Sequence, residues 1–498
     1  MNVKKGSFPG WAFCLALASF LSGCKTPDQL DPAAADDTDV AAVHEEASDY
    51  VWNSTDVVPI TLNGGSITVG GAGATVSGST VTITSAGTYR ISGTLTNGQV
   101  IVNTADKEAV RLILNGVTIT SATSAPIYIK DSGKTIIGLA DNTTNTLTDG
   151  ATYVYDVPAD EEPNAAVFSK SDLTIFGNGA LVVNGRFGDG IASKDGLIIK
   201  SGAITVNAAD DGIRGKDYLI IHDGKLTVTA KADALKSSND EDPALGYVTI
   251  NNGTMTISAG DDGIHGESGL TVNDGTVTIA QSYEGLESKV ITINGGTIRL
   301  TASDDGINAA DGSDSGGMPG GQTTASGNLL TITGGRVYVD ANGDGLDANG
   351  SIIMTGGVVL VNGPSGSGNG ALDYDATFTI GGGLLMAVGS SGMAQVPGTT
   401  STQNSVLIGL TAAQTAGTLV RIQASDGKNI LTFKPTKRYQ SIAFSSPELI
   451  NGSAYEVYLG GSTTGTPTDG LYADGTYTAG IKASAFTVSS VVTKVNTR

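Results

Sequence analysis

Short runs of Val, Ile, Leu and Thr alternate one-for-one with polar residues along most of the chain. Gly, Asn and Asp cut each run off after a few positions. This is the period-two pattern of half-buried strands bounded by turns, and few segments carry the 3.6-residue spacing of an amphipathic helix. The pattern also recurs. Gly-Asp-Gly-Ile (188–191) is followed by Asp-Asp-Gly-Ile (210–213), Ala-Asp-Ala-Leu (232–235), Asp-Asp-Gly-Ile (261–264), Tyr-Glu-Gly-Leu (283–286), Asp-Asp-Gly-Ile (304–307) and Gly-Asp-Gly-Leu (343–346), with a decayed copy at 370–372. A second mark falls midway through each unit, as in Ser-Gly-Ala-Ile-Thr-Val (201–206), Asn-Gly-Thr-Met-Thr-Ile (252–257) and Gly-Gly-Arg-Val-Tyr-Val (334–339).

Gly190 to Gly212 is a step of 22 residues, as is Gly263 to Gly285, and Gly306 follows after 21. A unit this short is about half a propeller blade and cannot bury its own apolar face. Stacking solves the problem. Each strand pairs in parallel with its counterpart one unit on, and Ile or Leu columns fill the interior. The expected fold is all-β, a right-handed parallel β-helix over residues 51–400 with a small C-terminal β unit over 401–498. Strands in that unit are expected at 405–410, 418–423, 439–444 and 454–459. A β-sandwich is the alternative, but nothing in a sandwich demands this register. Two steps are overlong, 29 residues from Ala234 to Gly263 and 39 from Gly306 to Gly345. The extra residues, 237–247 and 310–328, both follow the acidic turn and one short strand, so they should emerge on one face.

Composition then narrows the class. Aromatics make up 5% of the chain, so the core must be aliphatic. The formal charge is −21, from 49 acids against 28 Lys and Arg, which argues against nucleic acid as a partner. Lys4 and Lys5 precede an apolar run ending in Leu-Ser-Gly-Cys (21–24). That resembles a bacterial lipobox, which implies removal of residues 1–23, a lipid on Cys24 and a place in the cell envelope facing outward. Residues 24–50, rich in Asp, Ala and Pro, read as a flexible tether. Cys14 lies in the removed segment, so no disulfide is available to the mature chain.

Stacking turns the repeat into chemistry. Equivalent residues lie about 4.8 Å apart on successive units. Asp189, Asp211, Asp233, Asp262, Glu284, Asp305 and Asp344 then form one column, and Asp210, Asp261 and Asp304 a second. A third adds Glu287, Asp347 and Asp373 beside Arg214, Lys236 and His265. Like charges at that spacing repel by roughly 1 kcal/mol in water and about 3 kcal/mol at an effective dielectric near 20. The acids must fan into solvent, take up protons or share cations. Calcium suits the last course, since it accepts many carboxylate and carbonyl oxygens in tolerant geometry. Three His and one acylated Cys make a poor zinc site. Residues 340–345, Asp-Ala-Asn-Gly-Asp-Gly, match the first half of a calcium loop, but Ser351 stands at the twelfth position, which excludes an EF-hand. Solvated turn Asp residues are the plain alternative.

Ala-Gly-Thr-Tyr-Arg-Ile-Ser-Gly-Thr-Leu (86–95), Asn-Ala-Ala-Val-Phe-Ser-Lys (164–170), Asp-Gly-Ile-Ala-Ser-Lys-Asp (189–195) and Asp-Asp-Gly-Ile-Arg-Gly-Lys (210–216) carry a resemblance. The chain resembles the calcium-binding, carbohydrate-binding β-helix family, pectate-lyase-like in shape and related to a clostridial cellulose- and pectin-binding protein. The resemblance implies calcium at the acidic turns and binding of plant-type polysaccharide, acidic or neutral, without cleavage. The Ala-Asp-Ala and Tyr-Glu-Gly copies depart from the Asp-Asp-Gly pattern. Lys194, Arg214, Lys216 and Lys236, with Lys231 and His265, are the cations available to an acidic glycan; neutralising neighbouring Asp is their other reading. An enzyme is the first alternative. A lyase would use calcium with Arg214 or Lys236 as base, and a hydrolase would pair Asp261 and Asp262 near His265. Asp-Asp-Gly occurs three times, which suits a structural rhythm better than one active site. A surface adhesin or stalk without glycan specificity is the second alternative. A monomer is expected.

Overall fold

The structure, a computed structural model, describes residues 44–155, 157, 159, 161–311 and 327–497. Cys24, the targeting segment and residues 312–326 of the second insertion lie outside the described residues. Two short 3-10 turns, Ala47–Tyr50 and Ser54–Asp56, are the helical elements among the described residues, and the rest is strand and turn. No described helix is long and apolar enough to cross a membrane.

The chain is all-β with long parallel sheets, and its strands join into sheets of 27, 12 and 6 members. From about residue 165 onward each unit contributes three strands. The first set runs Gly196–Ile199, Tyr218–Ile221, Tyr247–Ile250, Gly269–Val272 and Val290–Ile293, each parallel to the next. The second runs Ala203–Ala208, Lys225–Thr229, Thr254–Ser258, Thr276–Ser282 and Thr297–Ala302. The third is short: Asp189–Ser193, Ile213–Gly215, Leu235–Ser237, Ile264–Gly266, Leu286–Ser288, Ile307–Ala309 and Leu346–Ala348. Alternation decides which side of each strand is buried. Ile213, Leu235, Ile264, Leu286, Ile307 and Leu346 stack in one fully buried file within the main core.

The central Gly of the acidic turns, in every copy but Ala234, sits at a close approach. A Cβ on Gly263 would sit 2.6 Å from the Gly285 carbonyl oxygen and 2.6 Å from Ile279 Cδ1. The Ala234 copy carries a methyl at the equivalent place. Both insertions leave after a strand of the third set, at 237 and 309, and return to the first set at Tyr247 and Leu329.

The parallel ladder stops at its C-terminal end. Strand Leu384–Gly389 pairs antiparallel with Tyr439–Ser445, which pairs antiparallel with Ser405–Gln414. Beyond it, Val420–Ala424, Asn429–Phe433 and Ala454–Thr463 form an antiparallel sheet over a separate cluster that includes Phe433, Tyr455 and Phe486. Asp469 ties this sheet to the ladder through Arg299 (2.7 Å) and Arg336 (2.6 Å).

The end of the segment read as a tether is docked from residue 44. Glu45 pairs with Lys200 (2.6 Å) and His222 (3.2 Å) and accepts from the Tyr50 hydroxyl. His44 packs on Tyr218 at 3.9 Å between ring centroids, and Asp49 pairs with Lys134 (2.9 Å). Composition pointed to a mobile chain here. The correction comes from Lys200, which is 4% exposed and needs the Glu45 carboxylate as its partner. Burial opposes the Glu45 charge, but His222, Lys200 and Tyr50 outweigh it and hold the carboxyl at about 2.

Candidate functional site

The acidic turns superimpose. The N–H of Gly190 donates to the Asp211 carbonyl, Gly212 to Asp233, Ala234 to Asp262, Gly263 to Glu284, Gly285 to Asp305 and Gly306 to Asp344, at 2.8–3.1 Å. The side chains add a second ladder. Asp189 Oδ1 accepts from the Asp211 N–H (3.2 Å), Asp211 from Asp233 (3.2 Å), Asp233 from Asp262 (2.8 Å), and Asp305 from Asp344 (2.5 Å). These carboxylates therefore satisfy turn amides on the next unit. Asp189, Asp211, Asp233 and Asp262 are buried, while Asp210 and Asp261 are exposed and Asp304 is half-buried. Sequence reading placed all of them in columns. It did not foresee that one column faces inward and holds backbone. Asp261 and Asp262, the pair considered for hydrolysis, lie on opposite sides of that divide.

The column after Ile or Leu runs Ala192, Arg214, Lys236, His265, Glu287, Asn308 and Asp347. Its first cations turn onto the carboxylates. Arg214 reaches Asp189 (2.5 Å) and Asp211 (3.4 Å), and Lys236 reaches Asp233 (2.5 Å) and Asp211 (4.0 Å). His265 Nδ1 lies 3.1 Å from Asp262 and 2.8 Å from Glu287. Burial pushes Asp211 up to about 7, with Asp189 adding to it against Lys236 and Arg214. Burial alone would lower His265, but Asp262 and Glu287 raise it to about 10, so it is a cation at neutral pH. Burial leads the upward shift of Asp262, and hydrogen bonds from His265 and Asp262 take Glu287 down.

From Glu284 onward the cations run out. Among the described residues no Lys or Arg pairs with Glu284, Asp304, Asp344, Asp347 or Asp373. Burial, then Glu287, raises Glu284 to about 9. Burial, then Asp305, Asp344 and Asp373, raises Asp347 to about 8, and burial takes Asp344 to about 7. Asn308 sits between Glu287 and Asp347 in the column and is 7% exposed. Its Nδ2 donates to Glu284 (2.9 Å), and its Oδ1 is buried without a hydrogen-bond partner. Asp262, Glu284 and Glu287 bring carboxylate oxygens within 4.8 Å of one another, as Asp233, Asp262 and His265 do with their ligand atoms. In the all-carboxylate group Asp262 and Glu287 share His265, while Glu284 has no described Lys or Arg and lies beside the orphaned Asn308 oxygen; oxygen donors of this kind fit a hard divalent cation.

The remaining predicted residues lie apart. Lys194 is exposed and shares Glu162 with Lys170, at 2.9 Å and 2.6 Å. Lys216 is 3.6 Å from Glu241. Asp340, the first residue of the calcium-loop match, pairs with Lys437 (2.6 Å) and Thr436 (2.9 Å), away from Asp344 in the ladder. Asp340 is thus engaged by Thr436 and Lys437 of the C-terminal unit.

All-β architecture with long parallel sheets and a stacked acidic turn defines the setting in which the comparisons fall. The carbohydrate-binding domain-containing protein family matches residues 77–327, just over half of the chain, and the chain belongs to it. A carbohydrate-binding domain-containing protein of Acetivibrio thermocellus is 46% identical over 126 residues, 25% of this chain and 44% of that protein. The chain thus spans less than half the length of that relative. Among solved structures, a gadolinium derivative of the polysaccharide lyase-like protein from C. thermocellum matches at 36% identity with a TM-score of 0.43. The match covers 49% of this chain and 94% of that one.

Proposed function

We propose that the protein is a non-catalytic, calcium-dependent binder of plant-type polysaccharide, held at the bacterial cell surface by a lipid on Cys24. In this reading residues 51–400 form a right-handed parallel β-helix, and 401–498 close its open edge, which would otherwise recruit further strands. Family membership supports carbohydrate as the ligand. The observation that carries the calcium reading is the run of carboxylates from Glu284 and Glu287 on to Asp344 and Asp347, with Asn308 in register between Glu287 and Asp347, no described Lys or Arg on Glu284, Asp344 or Asp347, and an amide oxygen left over beside Glu284. Glu284 and Glu287, with the Asn308 amide oxygen, would supply ligands to one ion, and Asp304, Asp305, Asp344 and Asp347 would supply ligands on the rungs that follow. Bound calcium would neutralise the ladder and give an anionic glycan such as polygalacturonate a cationic contact on a chain of formal charge −21.

The engagement of the reactive groups supports binding without cleavage. Arg214 and Lys236, the bases a lyase would need, are engaged by buried carboxylates, and Asp262 is 5% exposed. Affinity electrophoresis in polygalacturonate tests the proposal. Retardation is expected with calcium and is lost in chelator, with no ultraviolet-absorbing unsaturated product. Retardation indifferent to chelator would remove calcium from the reading, and unsaturated product would make the protein a lyase.

A further inference from the structure

Among the described residues, two aromatic side chains stand out as exposed large hydrophobics, Phe187 at 38% and Tyr283 at 47%. Both fall in the acidic turn. Phe187 precedes Asp189 by two residues, and Tyr283 immediately precedes Glu284. The register Ile191, Ile213, Leu235, Ile264, Leu286 places their units four rungs apart, about 19 Å at ~4.8 Å per rung.

Local structure holds each ring in place. Phe187 stacks on Tyr153 at 4.4 Å and 18°, and the Tyr153 hydroxyl is fixed by Asp149 (2.8 Å) and the Ala165 carbonyl (3.0 Å). Tyr283 follows a bulge. Strand Thr276–Ser282 carries one residue more than either neighbour, since Ile257/Ser258 pair with Ile279/Gln281, and Ile279/Ser282 with Leu300/Ala302. Such bulges re-aim the side chains beyond them. The Tyr283 backbone is pinned by the Asp261 carbonyl (2.7 Å) and the Asp304 N–H (2.9 Å).

Between the two rings the register positions of Tyr283 are filled by Asp210, Ala232 and Asp261, and both Asp residues are exposed. A protein partner would call for a contiguous apolar patch, which two rings separated by carboxylates do not make. A sugar chain fits better. Its C–H faces stack on aromatic rings, and its hydroxyls donate to carboxylates. We propose that Phe187 and Tyr283 are the end platforms of a track along the acidic turn that takes a linear oligosaccharide of about four or five units, roughly one unit per rung. The proposal rests on the carbohydrate-binding reading above and assigns that reading its surface and ligand length.

Calorimetric titration of the full chain with oligogalacturonides and cello-oligosaccharides of increasing length, in calcium, tests it. Affinity for the bound series should climb with length and level off once both rings are spanned. Phe187→Ala and Tyr283→Ala should each weaken the longer oligomers by about tenfold. Tyr283→Phe should keep most of the affinity, and thermal midpoints should confirm that the variants are folded. If the wild type binds and both Ala variants bind equally well at every length, the track is wrong while carbohydrate binding stands. If the wild type binds no glycan of either series, the binding reading fails and the track with it.

Discussion

Between Asp189 and Asp262 the inward carboxylates have Arg214, Lys236 or His265 beside them. Between Glu284 and Asp373 the same strand position holds Glu287, Asn308 and Asp347. The turn is the same in both stretches, with its acid, its backbone ladder and, except at Ala234, its Gly. One residue per unit, three positions after the acid, decides whether the column is a closed set of ion pairs or an excess of negative charge. A ladder of carboxylates is thus one scaffold with two electrostatic outcomes. The first stretch carries its own counter-ions, and the second has to take protons or cations from outside.

Removing a cation from the first stretch should have the largest effect. Arg214→Met leaves Asp189, 1% exposed, without its ion pair, and should cost about 3–5 kcal/mol in urea unfolding. A loss under about 1 kcal/mol would mean that the arginine neutralises nothing there. Next comes pH. Glu284, Asp347 and Asp344 sit near 9, 8 and 7 in the folded protein, above ordinary carboxyl values. Their folded form holds protons more tightly than the unfolded chain. Their contribution is complete below about pH 4 and is lost as pH rises through 7 to 9. In chelator the thermal midpoint should fall over that range. Calcium should flatten the fall, and Asp347→Asn should flatten it without calcium. The smallest effect belongs to Lys194→Ala. Lys194 is exposed and shares Glu162 with Lys170, so stability should change by less than about 1 kcal/mol, in contrast to Arg214 one rung away.

Much of this was legible in the residues themselves. The strand files, the stacking of the acidic turns and the side on which both insertions leave follow from period-two alternation and the 22-residue step. A shift of one residue would turn every Ile and Leu outward. The four strands expected after residue 404 begin within two residues of their expected places, for the same reason, and the first and last run four residues further than expected. Residues 44–50 were misread because composition reports flexibility only where no partner waits. Lys200 and His222 belong to strands more than 150 residues away, and nothing local announces them.

Side-chain identity and spacing, which a linear chain carries in full, therefore determined the all-β character, the rung register and the membership of each acidic column. The tertiary structure decided which column faces inward, which lysines and arginines close on it, and that Phe187 and Tyr283 are left exposed at acidic turns four rungs apart. Those outcomes depend on burial and on contacts between units. A carboxylate's charge, partner and proton affinity are set by what folding brings to within a few ångströms of it, and sequence distance does not encode that.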